Sequence, residues 1–501
     1  SRHHGHVKAV SKAMKKLNFT QLIGSRSSRD RDAIIGLVAA RILFPDSKLA
    51  TIRRWQTTTL PEVFNVPEVQ EKEACKAMEW LFVRQSYIEK RLMDRHIKGQ
   101  RVMLYDMSSS YFEGEECPLA KWGYNKDGKK GKKQVNYTLL CDKRGCPVGT
   151  RVYEGNYTES KTLLPMLKEL KTRFGVREMV IVGDRGMIGK KEIAEFKKEK
   201  EIEWITALKA ISIKKLIERG SLRVSEFEKK ECIEIEDQEY EEERLIACCN
   251  KEVAKWQREK RQKLLEATQG EIVKVKEQVK RGSVRGKEEI GLRVGGIINK
   301  YKVAKHFKLK ITTTRLGYEI REEKIKQEAE LDGVYVIITS LKKEKMEKEE
   351  VVRSYKELSH VERAFRSIKS VDLELRPIYH HIEDRVKGHI FLCMLAYYVK
   401  WHMMEVWQEL LFADKENNKE EQSPVGKAKR SDKALKKIRT KKLEDGSMVH
   451  SFQTLLANLS TVVRNKCSYK GIKGESGFVE VDTTANKQQQ RAYDLLETIE
   501  M

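Results

Sequence analysis

Three acidic residues, Asp106, Asp184 and Glu362, stand where side chains could gather metal ions. Asp106 closes the apolar run Val102-Met-Leu-Tyr105 and precedes the small polar run Ser108-Ser-Ser110, a pattern that puts a carboxylate at a sheet's edge. Asp184 takes the same position after Val180-Ile-Val182-Gly183, and Arg185-Gly186 suits a tight exposed turn. One strand-end Asp is usually a turn or cap residue; two on neighbouring strands make a candidate pair. Glu362 lies midway between Tyr355 and Lys369 at a seven-residue spacing, which on one helix stacks phenol, carboxylate and ammonium along a single face. Val361, Ala364, Phe365 and Ile368 supply the opposite, apolar side. The same spacing also suits an ordinary amphipathic surface helix.

Phosphodiester chemistry is a reason to gather three carboxylates. Two Mg²⁺ ions about 3.5–4 Å apart can activate an attacking oxygen and stabilise the leaving one, and Mn²⁺ can substitute. Hard cations require oxygen ligands. In this scheme Asp106 bridges both ions, Asp184 and Glu362 each complete one site, and no protein nucleophile is needed.

The surrounding elements would have to hold these side chains. At 501 residues the chain is too long for one ordinary core. Residues 1–98 read as a helical N-terminal DNA-binding domain. Ile34, Ile35, Leu37, Val38, Ile42 and Leu43 recur at helix spacing, and a second helix starts at Ser47. That helix is expected to place Leu49, Ile52 and Trp55 inward and Lys48, Arg53 and Arg54 outward, compatible with a helix-turn-helix reader or a plain bundle.

Residues 99–210 read as the first part of a catalytic core. The strand Val102–Met107 is followed by a hairpin of Gln134–Cys141 with Gly149–Glu154, then an amphipathic helix carrying Leu163, Leu164, Leu167, Leu170 and Phe174. The strand Met179–Val182, a helix near Lys190–Lys200 and the strand Trp204–Leu208 complete it. That order is the ribonuclease H-like layout: an α/β fold with a mixed sheet flanked by helices.

Residues 211–330 read as an inserted domain, acid-rich between Glu226 and Glu243, Lys/Glu-rich and helical around Val253–Val279, then basic and β-like. Residues 331–405 return to the core with the strand Gly333–Thr339, a glutamate helix from about Glu350 to Ser370, and a buried apolar helix over Ile390–Trp401. Residues 406–501 form a helical C-terminal region with a basic, flexible linker at 413–445.

The formal charge of +25 favours a polyanionic partner, nucleic acid first, although a solvated Lys-rich surface gives the same total. Nine cysteines occur without a C-x-x-C pair, as in a reducing cytoplasm. Cys141 and Cys146 flank a turn, and with no matching Cys/His pair they read as structural rather than as a zinc site. The N-terminus has no apolar signal region, and no apolar stretch reaches the ~20 residues of a membrane span.

The residues from Tyr355 to Lys369, Tyr-Lys-Glu-Leu-Ser-His-Val-Glu-Arg-Ala-Phe-Arg-Ser-Ile-Lys, resemble the Y-x2-R-x3-E-x6-K signature of the DDE transposases of bacterial insertion sequences. The continuation from Leu373 to Ile390 resembles a subgroup found in mycoplasmal and other bacterial elements. Tyr105 to Gly114, Trp122-Gly-Tyr124 with Gln134, Gly155-Asn156 and Val182 to Met187 support the match, which runs from about residue 33 to 405. The resemblance implies Asp106, Asp184 and Glu362 as catalytic metal ligands, a domain inserted before the glutamate helix, and a homodimer acting on paired terminal inverted repeats and target DNA. It also implies a bacterial cytoplasmic, nucleoid-associated protein.

The chain departs from the signature at Leu358, which stands in the Arg position. Arg363 or Arg366 is the expected substitute, beside Tyr355, Lys369 and Arg185, for contact with DNA. Lys126, Lys129, Lys130, Lys132 and Lys133 suit phosphate contact or a solvated loop equally. Trp122 could stack on a displaced base or serve the fold. Three other readings stay open: a metal-dependent nuclease that cuts without joining, a non-catalytic domesticated DNA-binding protein, and an RNA-processing enzyme.

Overall fold

The computed structural model describes the chain except residues 100, 125, 177, 199–200, 415–422, 427, 471–475 and 501. Contacts divide it into two units. The first comprises Ser1–Ile205, Ser354–Asn418 and Lys429–Met501, and the second Thr206–Arg353 and Lys419–Ala428.

The first unit is built on strands β1 (Val102–Tyr111), β2 (Gln134–Asp142), β3 (Pro147–Glu154), β4 (Met179–Val182) and β5 (Ile202–Ala207). Their order is β3-β2-β1-β4-β5, antiparallel from β1 to β3 and parallel from β1 through β4 to β5. This is the ribonuclease H-like arrangement, an α/β fold with helices against a mixed sheet. Every residue of β2 is buried, which explains why it lacks the alternation of a half-exposed strand. The Ser160–Phe174 helix joins β3 to β4, burying Leu163, Met166, Leu167, Leu170 and Phe174, and stops at Gly175, whose φ of 67° is the left-handed cap.

The Glu383–Trp407 helix is buried continuously from Gly388 to Met403 and packs against β3 and the Arg29–Leu43 and Glu71–Val83 helices. Inside it Lys400 is only 2% exposed and is held by Asp372 at 2.6 Å and Ser367 Oγ at 2.9 Å. A second buried charge is Glu89, on the Gln85–His96 helix. It accepts from Arg151 of β3 at 2.7 and 2.8 Å, from the Thr150 amide and from Gln85.

The Lys48–Trp55 helix starts at Ser47, whose hydroxyl accepts from the Ala50 amide, but its facing differs from the sequence expectation. Lys48 is buried, with Nζ 3.1 Å from His389 Nδ1, while Leu49 is exposed; Trp55 is inward, and Arg53 and Arg54 are outward. The partner of Lys48 lies 341 residues away, so periodicity could not reveal it.

The expected linker over 413–445 falls partly outside the described residues. Within it Asp432–Thr440 is a helix, not a flexible segment, because Ser431 caps it and Ala434 is buried.

In the second unit β6 (Cys232–Ile235), β7 (Arg244–Cys249) and β10 (Val334–Thr339) form an antiparallel set with β7 central, while β8 (Phe307–Ile311) and β9 (Leu316–Ile320) form a hairpin. The Lys251–Lys280 and Lys287–Tyr301 helices share a separate core with that hairpin, including Leu265, Ile272, Val279, Ile290, Val294 and Phe307. Arg261 is ion-paired with Asp332 in the same unit.

Candidate active site

Asp106 lies within β1 and not at its end, since the strand continues through Ser108–Ser110 to Tyr111. Its position is still an opening in the sheet. The parallel ladder to β4 covers only Val102–Leu104, so beyond Leu104 one side of β1 loses its neighbour while β2 continues on the other, with Leu139 opposite Asp106. The serines stay in the strand because they find partners: Ser110 Oγ lies 3.0 Å from Tyr137 Oη, and Ser109 Oγ accepts from the Lys126 amide.

Asp184 follows β4 by two residues, in the exposed turn expected, and its Oδ1 accepts from the Gly186 and Met187 amides. A β-carbon added at Gly186 would lie 2.7 Å from Glu159 Oε2 and 2.9 Å from Asp184 Oδ1. Glu159 and Asp184 therefore face one another across this glycine.

The expected single helix from 350 to 370 is three pieces: Lys348–Lys356, Leu358–Arg366 and a π-helical turn over Ser367–Val371. Tyr355, Glu362 and Lys369 thus sit on successive segments of an interrupted helix, and Glu362 and Lys369 line the same cavity. Val361, Ala364, Phe365 and Ile368 are buried as expected, leaving Glu362, Arg363 and Arg366 exposed. The widened turn carries Lys369 inward, where only 8% of it is exposed. There it pairs with Asp127 and lies 3.3 Å from Ser108 Oγ. Arg376 also reaches Asp127, at 2.5 Å.

Asp106 and Glu362 line one open cavity of about 310 Å³, together with Lys126, Asp127, Arg366 and Lys369. Burial pushes the Asp106 carboxyl up to about 7. Lys126 and the Met107 amide oppose that shift, while Asp184 and Glu159 add to it. Tyr355 is pushed up to about 12, first by burial and then by Asp184, Glu362 and Asp106, against the pull of Arg185. One phenol thus senses all three carboxylates. The carboxylates do not converge to ligand spacing. Among the described residues, the one group of three potential ligands with donor atoms within 4.8 Å of one another is His96, Cys146 and His402.

Lys126 is tied into the site, donating to the Met107 carbonyl at 2.7 Å and pairing with Glu159. Lys129 and Lys130 are exposed, as is Arg185, and Lys129 stands 5.7 Å from the Tyr111 ring centre. Lys132 pairs with Glu113, and Trp122 and Tyr124 are exposed at 63% and 88%. Sequence reasoning missed Glu159, Asp127 and Arg376. Glu159 follows the Gly155-Asn156 block by only a few residues, and Arg376 lies inside the block following Lys369, so both were within reach of the motifs.

The fold is a mixed α/β sheet flanked by helices, with Asp106 and Glu362 beside an open cavity. The chain belongs to the transposase DDE domain family, whose match spans residues 97–399. No curated protein matches its sequence. Among solved structures, it is similar to the piggyBac transposase in a synaptic complex with hairpin DNA, with TM-score 0.37 and 10% identity over 90% of this chain and 77% of that one. It is also similar to the Mos1 transposase in a paired-end complex with the left transposon end, with TM-score 0.15 and 13% identity over 36% of this chain and 60% of that one. The family assignment rests on the sequence match. Among the described residues no helix is long and apolar enough to cross a membrane.

Proposed function

We propose that this chain is a DNA transposase that binds transposon ends and cuts and joins DNA phosphodiesters, with Asp106, Asp184 and Glu362 holding two Mg²⁺ ions. Mn²⁺ can replace them. The observation that carries this reading is the shared cavity of Asp106 and Glu362, inside the transposase DDE domain match. The donor set fits the ions: all the candidate ligands are carboxylate oxygens, and the charges of Asp184 and Glu159 help hold Asp106 protonated until a cation compensates them. Held by Asp106, Asp184 and Glu362, such ions would supply Lewis-acid activation of the attacking oxygen and charge neutralisation at the leaving one.

The chain's own residues position the DNA. Tyr355 keeps its proton at neutral pH and offers an O–H donor to a phosphate oxygen. Exposed Arg185, Arg363, Arg366, Lys129 and Lys130 contact the backbone, Arg363 and Arg366 serving in place of the signature Arg lost at Leu358. Lys369 and Lys126 act by holding the loop that carries Asp127 against β1. A homodimer on paired terminal repeats, in the bacterial cytoplasm, completes the reading.

The test is incubation of the full chain with labelled DNA carrying the element's ends, with Mg²⁺ or with chelator. Metal-dependent nicking followed by joined products supports a transposase. Cutting without joining points to a nuclease, and binding with no metal-dependent product points to a DNA-binding protein without chemistry.

A further inference from the structure

Outside the carboxylate cavity, three side chains from distant parts of the first unit meet. His96 is the last residue of the Gln85–His96 helix, Cys146 lies between β2 and β3, and His402 is in the Glu383–Trp407 helix. All three are buried, and one donor atom from each lies within 4.8 Å of the other two. The Cys146 Sγ to His402 Nε2 distance is 3.8 Å, and the two imidazole ring centres are 5.4 Å apart. Ligands about 2.0–2.3 Å from a shared tetrahedral ion stand roughly this far from each other.

We propose that His96, Cys146 and His402 form a zinc site, separate from the carboxylate site and of opposite chemical preference. Two imidazoles and a thiolate select a borderline-soft ion such as Zn²⁺, whereas all-oxygen donors select Mg²⁺. On binding, the Cys146 S–H bond breaks, its proton leaves to solvent, and a Zn–S bond forms; both imidazoles bind through neutral lone pairs.

The surroundings are compatible with an added cation. Of the two arginines beside the cluster, Arg95 and Arg144, the latter is paired with Asp142, with Nε and Nη2 at 3.1 and 3.0 Å from the same carboxylate oxygen. If Nδ1 of His96 takes the metal, Nε2–H keeps Tyr398 Oη, 3.1 Å away, as its acceptor, and Arg144 Nη2, a donor 3.4 Å from Nδ1, turns aside to admit the ion. A pocket of about 270 Å³, lined by Arg95, Trp401 and Glu405 as well as by both histidines, opens beside the cluster. The ion would clamp the N-terminal helices, the β2–β3 turn and the long buried helix together.

The test uses the full chain without a metal-affinity tag, loaded with Zn²⁺, dialysed and measured for metal content, then reloaded with Co²⁺ for absorption spectroscopy. The proposal predicts one retained zinc per chain and a cobalt spectrum with tetrahedral d–d bands and a thiolate charge-transfer band. Cys146→Ser should abolish that band and Cys117→Ser should leave it. Wild-type protein that retains no zinc, or that gives no thiolate band with Co²⁺, overturns the proposal even if Cys146→Ser does not fold. A band that survives Cys146→Ser overturns it as well. None of these readouts depends on DNA cleavage.

Discussion

Lys369 is ion-paired with Asp127, and the pairing pins the π-helical turn after Glu362 to the loop beside Asp106. The Asp127 carboxylate is almost wholly enclosed, so removing Lys369 takes away one of its countercharges and leaves Arg376 beside it. Lys369→Ala should cost about 1–3 kcal/mol in urea unfolding, below the full loss for a buried pair because Arg376 stays. It should also leave the salt dependence of DNA binding unchanged, whereas Arg366→Ala should lower the salt slope by about one. A lowered slope for Lys369→Ala would mean that the lysine reaches phosphate directly.

Asp106 gives a pH dependence opposite to that of a salt-bridged carboxylate. Its folded pKa of about 7 lies above the ordinary 3.8, so between those values the folded chain keeps a proton that the unfolded chain has released. Metal-free protein should therefore lose about 2–4 kcal/mol from this residue as pH rises through that window, and nothing further above it. Divalent-ion affinity should rise over the same window, because the ion requires the ionised form. Thermal melts in chelator across pH 4–8, wild type against Asp106→Asn, check this; parallel curves for the two proteins would contradict it.

Arg151 neutralises Glu89, which is 0% exposed. Arg151→Ala leaves that carboxylate buried without its main countercharge, and the expected loss is about 3–5 kcal/mol by denaturant unfolding. The double variant Arg151→Met, Glu89→Leu should lose less than the single one. An equal or greater loss would show that packing, not charge, sets the cost.

How far the sequence reveals these features depends on how local their causes are. The apolar runs of β1 and β4 and the turn after Val182 are local, so the placement of Asp184 was legible. The helix around Glu362 was legible on its apolar side, where Val361, Ala364 and Phe365 follow a helical period. Its breaks were not. The seven-residue spacing assumes an uninterrupted helix, while the π turn is held by Asp372 and Lys400 and by a lysine whose partner, Asp127, is far along the chain. Lys48 was misplaced for the same reason, since its imidazole partner comes from the long buried helix. His96, Cys146 and His402 lack any ligand spacing in sequence because three separate elements deliver them.

In the proposed function Asp106 and Glu362 work as one unit across their shared cavity. A double-mutant cycle on single-turnover cleavage of end DNA measures this directly, with Asp106→Ala, Glu362→Ala and the pair compared in Mg²⁺. Each single variant should lose at least about 100-fold, and the pair little more than either alone, as for residues that hold the same ions. Independent, multiplying losses, or full activity in Glu362→Ala, would contradict the claim.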